Sequence, residues 1–177
     1  MSKILSIDDL VNEIGVEFER FSRYNTPLTV VCFNVSLVNK EMQVNFLHKV
    51  VIELRNHLEK IIRKTDSLGR HRNNLIVILR NLDMENSKGF INRVFTSIDD
   101  FIKKNYKDNI DNEEMILVDV IINVFMISFC DASFSEVEGV LLRNRFDRKE
   151  IIELFENIDK EKVFETWELR LPILDRI

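Results

Sequence analysis

The chain has 177 residues, of which 45% are hydrophobic and 31% are charged, a balance typical of a globular protein and not of a disordered or fibrous chain. This length predicts a single domain over residues 1–177. Thirty Asp and Glu against 25 Lys and Arg give a net charge of -5, and the basic residues are dispersed, which argues against nonspecific nucleic-acid binding.

The first part of the chain alternates helical and extended patterns. Apolar residues at intervals of three and four predict a helix from Ile7 to Phe21, with Ser6 as its N-terminal cap. Pro27 ends this pattern, and the β-branched, largely apolar run Leu28–Val35 predicts a buried central strand. The same helical spacing returns between Lys40 and Lys64 and predicts a long amphipathic helix.

The middle of the chain completes an alternating order of elements. Two β-prone runs, Ser67–His71 and Leu75–Leu79, flank the polar link Arg72-Asn73-Asn74, which is a hairpin signal. Phe90–Ile102 has helical spacing, and Met115–Cys130 is typical of a long strand. The order of helix, strand, helix, hairpin, helix and strand predicts an α/β (α+β) fold in which helices cover a sheet.

The C-terminal part gives weaker patterns. We expect one domain with a core at about residues 7–130 and a helical extension at about 131–177. Within that extension, helices are predicted around Ser135–Arg143 and Arg148–Asn157. The tail, residues 160–177, carries the only tryptophan and is given no role.

The apolar run Met115–Cys130 is relevant to the cellular location of the protein. Asp119 and Asn123 interrupt it, and it is shorter than the roughly 20 residues that a membrane-spanning helix needs. The N-terminus turns acidic at Asp8 before the apolar region of a secretory signal could form. We therefore expect no membrane partner and a cytoplasmic location.

Cysteines and histidines indicate neither a disulfide nor a metal site. Cys32 and Cys130 each lie in an apolar run, where a thiol is usually a small buried hydrophobe. His48, His57 and His71 lack the spacing of a zinc site. No metal and no cofactor are expected.

Two segments carry a resemblance to a known family. In Phe18–Val35 an Arg-containing helix leads through Pro27-Leu28 into the first core strand, which resembles the opening of a GGDEF (diguanylate cyclase-type) domain. Arg63-Lys-Thr-Asp66, followed by Arg70 and a hairpin, resembles the family's Arg-x-x-Asp sequence five residues before the Gly-Gly-Asp/Glu-Glu-Phe signature. The resemblance spans about Ile7 to Cys130 and implies a central mixed sheet flanked by helices.

The same comparison implies lost catalysis. The family's carboxylates hold magnesium ions while two GTP molecules condense, and the resemblance puts those metal positions at Asn34 and Asn74. Arg72, Asn73, Asn74, Leu75 and Ile76 stand in place of the signature. An amide and a leucine do not supply the negative charge that a divalent ion requires. We expect no enzyme, since residual GTP hydrolysis would need metal ligands that the sequence lacks.

Arg63 and Asp66 match the family's inhibitory site, which binds the product cyclic di-GMP. A guanidinium can contact a guanine edge or a phosphate, and a carboxylate can accept the N1 and N2 protons of guanine. In the family a further arginine often comes from the helix after the hairpin, where Arg93 lies, or from a neighbouring subunit, so a homodimer is compatible with the site. The resemblance thus implies a signalling receptor or scaffold for this ligand.

Plainer interpretations stay open beside this hypothesis. Arg63 could simply end a helix and Asp66 begin a hairpin, leaving a protein-interaction module that binds no nucleotide. The run Arg70-His71-Arg72 could attract phosphate, or could be three solvated side chains in a turn. The 13 phenylalanines indicate a core, and any that stay exposed would mark the surface for a protein partner.

Overall fold

A computed structural model describes residues 3–39, 43–108, 115–129, 140–141, 148–156 and 163–174. The strands are β1 (Ile4–Leu5), β2 (Leu28–Leu37), β3 (Ser67–His71), β4 (Asn74–Arg80), β5 (Met115–Phe129), β6 (Val140–Leu141) and β7 (Glu165–Leu174). The helices are α1 (Ile7–Tyr24), α2 (Gln43–Ile61), α3 (Met84–Asp108) and α4 (Arg148–Glu156).

One mixed sheet of seven strands organises the described residues, in the order β1-β3-β4-β2-β5-β6, with β7 also paired to β5. The central strand β2 runs antiparallel to both β4 and β5. Strand β1 is parallel to β3, and β6 is parallel to β5. The predicted mixed sheet flanked by helices and the order of elements from α1 to β5 are confirmed, whereas β1 was not predicted. No helix in the described parts of the chain combines the length and apolarity needed to cross a membrane.

Local signals explain the bounds of α1. The Ser6 hydroxyl accepts a hydrogen bond from the Asp9 N–H at 3.2 Å and so caps the first turn. Asn25 ends the helix in the left-handed region, with φ 54°, and its N–H bonds to the Phe21 carbonyl. Pro27 then directs the chain into β2, as the sequence predicts.

Helices cover both faces of β2, which explains its nearly continuous apolar sequence. Val31 and Phe33 belong to the core cluster formed with α2 and α3. Val30 and Cys32 belong to the opposite cluster, formed with α1 and α4. Cys32 is a buried free thiol, as predicted, and burial raises its pKa. Cys130 lies outside the described residues.

The hairpin prediction is confirmed. His71 pairs with Asn74, so Arg72 and Asn73 form the tip. Arg72 has φ 56°, in the left-handed region. The strand β4 begins one residue earlier than the sequence predicts, because Asn74 is already paired on both sides.

The C-terminal extension is only partly helical. The predicted helix Arg148–Asn157 is confirmed as α4. The helix predicted at Ser135–Arg143 is wrong at Val140–Leu141, which form β6, and its other residues lie outside the described ones. The tail, which was expected to belong to the helical extension, instead contains the strand β7, which pairs along β5. Its buried Trp167 and exposed Glu168 begin a two-residue alternation that is typical of a strand with one covered face.

Candidate functional site

Arg63 and Asp66 form a closed ion pair in the turn between α2 and β3. Arg63 Nε donates to Asp66 Oδ2 at 3.0 Å, and Arg63 Nη2 donates to Asp66 Oδ1 at 2.8 Å. The Arg63 backbone N–H also donates to Oδ2, at 2.9 Å. The Asp66 side chain is 1% exposed, whereas that of Arg63 is 45% exposed. Arg63 therefore engages both carboxylate oxygens and screens them from solvent.

The Arg63 guanidinium is hydrogen-bonded to protein groups through Nε and Nη2 but not through Nη1. Its Nη2 donates a further hydrogen bond to the Arg80 carbonyl at 2.7 Å. The hydrogen bond with Asp66 raises the pKa of Arg63. No hydrogen bond involves Nη1 within the described ranges, so this nitrogen is the donor that a ligand could reach.

Arg80, which the sequence analysis did not single out, fastens α1 to the hairpin beside this pair. Its Nε donates to Glu17 Oε1 and its Nη2 to Glu13 Oε2, both at 2.8 Å. Burial lowers the pKa of Arg80, but the hydrogen bonds and the charges of Glu17 and Glu13 together raise that pKa above its ordinary value. A cleft of about 490 Å³ lies next to the network and is lined by Lys3, Leu5, Asp9, Asn12, Glu13, Asp66, Ser67 and Leu68.

Arg93 does not join the pair in this conformation. It lies on the exposed surface of α3, and its Nη1 is 3.7 Å from the position that a Cβ would take at Gly89, so it follows its own helix. No hydrogen bond or ion pair links it to Arg63 or Asp66 in the part of the chain that the structure describes. The contribution of Arg93 stays a prediction.

The two positions at which the resemblance implies lost metal ligands lie side by side. Asn34 of β2 is paired with Asn74 of β4, and Asn34 Nδ2 donates to Asn74 Oδ1 at 2.7 Å. Asn74 Nδ2 in turn donates to the Phe155 carbonyl of α4 at 2.9 Å in a buried bond. Both polar atoms of the Asn74 amide are thus occupied by neutral protein groups, and α4 seals the position.

This amide pair extends into a polar row across four strands. Asn123 of β5 is paired with Asn34 on the side away from β4, and Thr166 of β7 donates to Asn123 Oδ1 at 2.8 Å. All members of the row are neutral. Within the described ranges, no group of three or more His, Cys, Asp or Glu side chains could hold a metal ion. In the sequence, Asn123 was noted only as a polar residue that interrupts an apolar run, and no pattern singled out Thr166.

The remaining signature positions serve the fold. The Asn73 carbonyl accepts a hydrogen bond from the Val35 N–H at 3.0 Å. Leu75 and Ile76 are fully buried on opposite faces of the sheet. Arg72 is exposed at the tip of the hairpin.

Comparison with known proteins identifies the fold. No protein-family model matches the chain, and no curated protein matches it. A DGC protein from Thermotoga maritima is similar in structure, with 14% identity, coverage of 92% of this chain and 97% of that chain, and a TM-score of 0.57.

Two further structures are of the same kind. One is the diguanylate cyclase SiaD of Pseudomonas aeruginosa in complex with its activator SiaC, at 14% identity, 76% and 49% coverage and a TM-score of 0.52. The other is a microbial GGDEF domain studied for its interaction with cyclic di-GMP, at 9% identity, 76% and 78% coverage and a TM-score of 0.51. The chain has the GGDEF-domain fold. At such identities the comparison carries the fold alone, so the function of this GGDEF-like domain has to be argued from its own residues.

Proposed function

We propose that this chain is a catalytically inactive GGDEF-like signalling module that binds cyclic di-GMP through Arg63, positioned by Asp66. The observation that carries the proposal is the bidentate pair on a 45% exposed Arg63 side chain, whose Nη1 makes no hydrogen bond with the described residues. A microbial GGDEF domain of the same fold interacts with cyclic di-GMP, which makes this ligand the first to test.

The proposal of inactivity is supported by the amide pair. Magnesium catalysis of phosphoryl chemistry needs carboxylates that hold the ions and balance their charge. Asn34 and Asn74 are neutral, bond to each other and are closed by the Phe155 carbonyl. Leu75, the next residue of the hairpin, is buried in the core and supplies no ligand. Binding GTP productively would require α4 to leave and charge to be introduced.

The ligand contact follows from which atoms are open. Nη1 of Arg63 can donate to a phosphate oxygen or to the acceptor edge of guanine while Nε and Nη2 stay on Asp66. In that arrangement Asp66 is a positioning residue, because it fixes the plane of the guanidinium. Asp66 could accept the N1 and N2 protons of guanine only after Arg63 releases Oδ1. The cleft of about 490 Å³ beside Asp66 offers space for the base.

One observation favours a second candidate, a protein-interaction module without nucleotide. Both oxygens of Asp66 are already engaged, so the pair is complete without a ligand. SiaD, which shares the fold, is known in complex with a protein activator. Exposed apolar side chains, among them Tyr24 at 74% and Val38 at 56%, give a protein partner apolar surface to cover.

Calorimetric titration of the purified protein with cyclic di-GMP tests the proposal. The variant Arg63→Lys keeps a charge opposite Asp66 but loses the planar fork, so we expect at least about tenfold weaker binding. Lys64→Ala, an exposed neighbour, is the matched control and should bind as the parent chain does. Incubation with GTP and magnesium should yield no cyclic di-GMP.

Two results would overturn parts of this proposal. Absence of heat at sub-millimolar cyclic di-GMP would reject the receptor and favour the protein-interaction module. Formation of cyclic di-GMP from GTP would reject inactivity, whatever the binding result.

A further inference from the structure

The strand β7 forms one edge of the sheet. It pairs with β5, and no other strand of the described ranges pairs with it. Proteins usually protect an exposed edge strand by making it short or by placing lysine, proline or a bulge in it. The strand β7 is ten residues long and contains no lysine, and Pro172, which lacks an N–H, comes only near its end. The part of β7 before Pro172 is therefore suited to pairing with a further strand.

The register of the sheet identifies which backbone groups of β7 face outwards. The Asp119 carbonyl of β5 accepts a hydrogen bond at 3.1 Å from the first backbone N–H after β2, so Asp119 directs its backbone groups towards β2. Successive residues of a strand direct these groups to alternate sides, so Val120 directs its own towards β7, where it is paired with Leu169. Leu169 therefore uses its N–H and C=O on β5. Its neighbours Glu168 and Arg170 direct theirs to the outer edge.

Glu168 and Arg170 also give the outer edge one residue of each charge. Both side chains are exposed on the face of the sheet away from α2 and α3. Arg170 Nε donates to Asp119 Oδ1 at 3.0 Å, and the Arg170 side chain is 61% exposed, so a second carboxylate can reach the guanidinium. Glu168 forms no ion pair with any residue of the described ranges. Opposite charges two positions apart on an edge are complementary to a second copy that runs antiparallel.

Backbone and charge together select one antiparallel register of two copies. Residues whose backbone groups face outwards must lie opposite each other, so the two-fold axis has to pass through a residue and not between two. An axis through Leu169 places Glu168 of each copy opposite Arg170 of the other. An axis through Glu168 would oppose two carboxylates, and an axis through Arg170 would oppose two guanidiniums, both of which are unfavourable. No other axis within the strand brings opposite charges together.

The same register matches the apolar side chains on the covered face. Leu169 lies opposite Leu169 of the second copy, and Trp167 lies opposite Leu171. The two Leu169 residues form a non-hydrogen-bonded pair, in which cross-strand side chains are closest. Leu169 is half-buried in one copy, and Phe95 of α3, with its ring centroid 5.2 Å from that of Trp167, is 37% exposed. A second β7 would thus cover apolar surface that one copy leaves exposed beside the edge.

We propose that two copies of this chain associate through β7, as an antiparallel pair with its two-fold axis at Leu169. The pairing joins the two sheets into one continuous sheet. The interface consists of one strand edge and the side chains beside it, so the dimer belongs to the weak, concentration-dependent class. The inference does not rest on the proposed binding of cyclic di-GMP, because it uses none of the residues around Arg63.

Sedimentation velocity of the purified chain from about 5 to about 500 µM tests the association. We expect the sedimentation coefficient to rise with concentration towards that of a dimer. Glu168→Arg and Arg170→Glu, each alone, should stay monomeric, because like charges then face each other across the axis. Glu19→Arg makes the same change of charge on the exposed surface of α1 and should associate as the parent chain does. A parent chain that stays monomeric over the whole range would overturn the proposal.

Mixing the two variants separates lost pairing from a folding defect. In an equimolar mixture of Glu168→Arg chains with Arg170→Glu chains, a cation again lies opposite a carboxylate at both positions. Dimers should therefore return, with an affinity at least about tenfold above that of either variant alone. If the mixture stays monomeric although both variants have the circular dichroism of the parent chain, the register is wrong.

Amide hydrogen exchange of the parent chain locates the contact without any substitution. The N–H groups of Glu168 and Arg170 should gain protection as the protein concentration rises, whereas that of Leu169, bonded to β5, should be protected at every concentration. Association without this gain would place the interface on another surface and reject pairing through β7. Full protection of both outward N–H groups in the dilute monomer would show that another segment of the same chain covers the edge, which also rejects it.

Discussion

The charged pair Arg63–Asp66 and the amide pair Asn34–Asn74 solve the same problem, a polar group at the rim of a core, in opposite ways. In the first, a guanidinium covers a buried carboxylate and donates hydrogen bonds to both of its oxygens. In the second, two neutral amides satisfy each other and α4 closes over them. The first position keeps an exposed arginine side chain, and in the second both polar atoms of the buried Asn74 amide are hydrogen-bonded to protein groups.

This difference indicates which of the two positions a ligand can reach. The Arg63 side chain is 45% exposed, so a ligand can approach it without first displacing a protein contact. Asn74 is buried and bonded to α4, and Asn34 is half-buried, so a ligand at Asn74 must displace protein contacts first. Two kinds of variant test this difference directly. One introduces carboxylates into the amide pair, and the other removes the arginine side chain from the charged pair.

The largest effect is expected when carboxylates are restored at the amide pair by the double variant Asn34→Asp and Asn74→Asp. Two like charges at hydrogen-bonding distance, facing the Phe155 carbonyl, should lower the free energy of unfolding by about 4 kcal/mol at neutral pH. Burial and mutual repulsion would raise the folded-state pKa of these carboxyls above the unfolded value. The loss should therefore shrink as pH falls through that raised pKa, because the folded state then binds protons more readily.

Urea denaturation of this double variant across pH measures the effect, and Asn73→Asp at the hairpin tip is the matched control. Magnesium at neutral pH should recover part of the lost stability if the two positions can still hold an ion. A double variant as stable as the control at every pH would mean that the amide pair is not closed from water.

The next largest effect is expected on removing the cover of the charged pair with Arg63→Ala. Asp66 would lose its charge partner and both side-chain hydrogen bonds, and would keep the backbone N–H of residue 63 as a donor, so the free energy of unfolding should fall by about 3 kcal/mol. Lys64→Ala, at an exposed position next in the chain, should change stability by less than about 0.5 kcal/mol. If the two variants unfold at the same urea concentration, the pair contributes nothing to the fold.

The charged pair was easier to predict from sequence than the amide pair, for a physical reason. Arg63 and Asp66 are three residues apart, so a single turn brings them together. Asn34 and Asn74 are 40 residues apart and meet only through the register of β2 and β4. Their pairing followed from the resemblance, which identified both as positions of one lost site, and not from any local pattern.

Long-range register also explains what sequence analysis missed. Local sequence patterns predicted the elements from α1 to β5, but not the two-residue strand β1, which is defined by its pairing with β3. The polar row needed the pairing of Asn123 with Asn34 and of Thr166 with Asn123, which only the assembled sheet fixes. The tail shows the same limit: the alternation after Trp167 fits a strand, but a strand has no hydrogen-bond partner until β5 is in place.

The smallest of these effects is expected for Asn74→Ala, which removes one amide from the closed pair. The Phe155 carbonyl and the Asn34 Nδ2 group would each lose a partner, and the free energy of unfolding should fall by about 2 kcal/mol. Asn73→Ala is the matched control, because within the described ranges the hydrogen bond of Asn73 to Val35 N–H uses its backbone carbonyl and its side chain makes none.

The position of the Asn74 amide makes a second readout available. Because this amide joins β4 to α4, its loss should raise amide hydrogen exchange in α4 more than in α1, which keeps its own bonds to Arg80. Unchanged exchange in α4 would show that its apolar contacts through Ile151 and Phe155 hold it without the amide. Apolar packing alone would then hold α4 over the amide pair. The amide pair and the charged pair would differ only in that one is neutral and the other is charged.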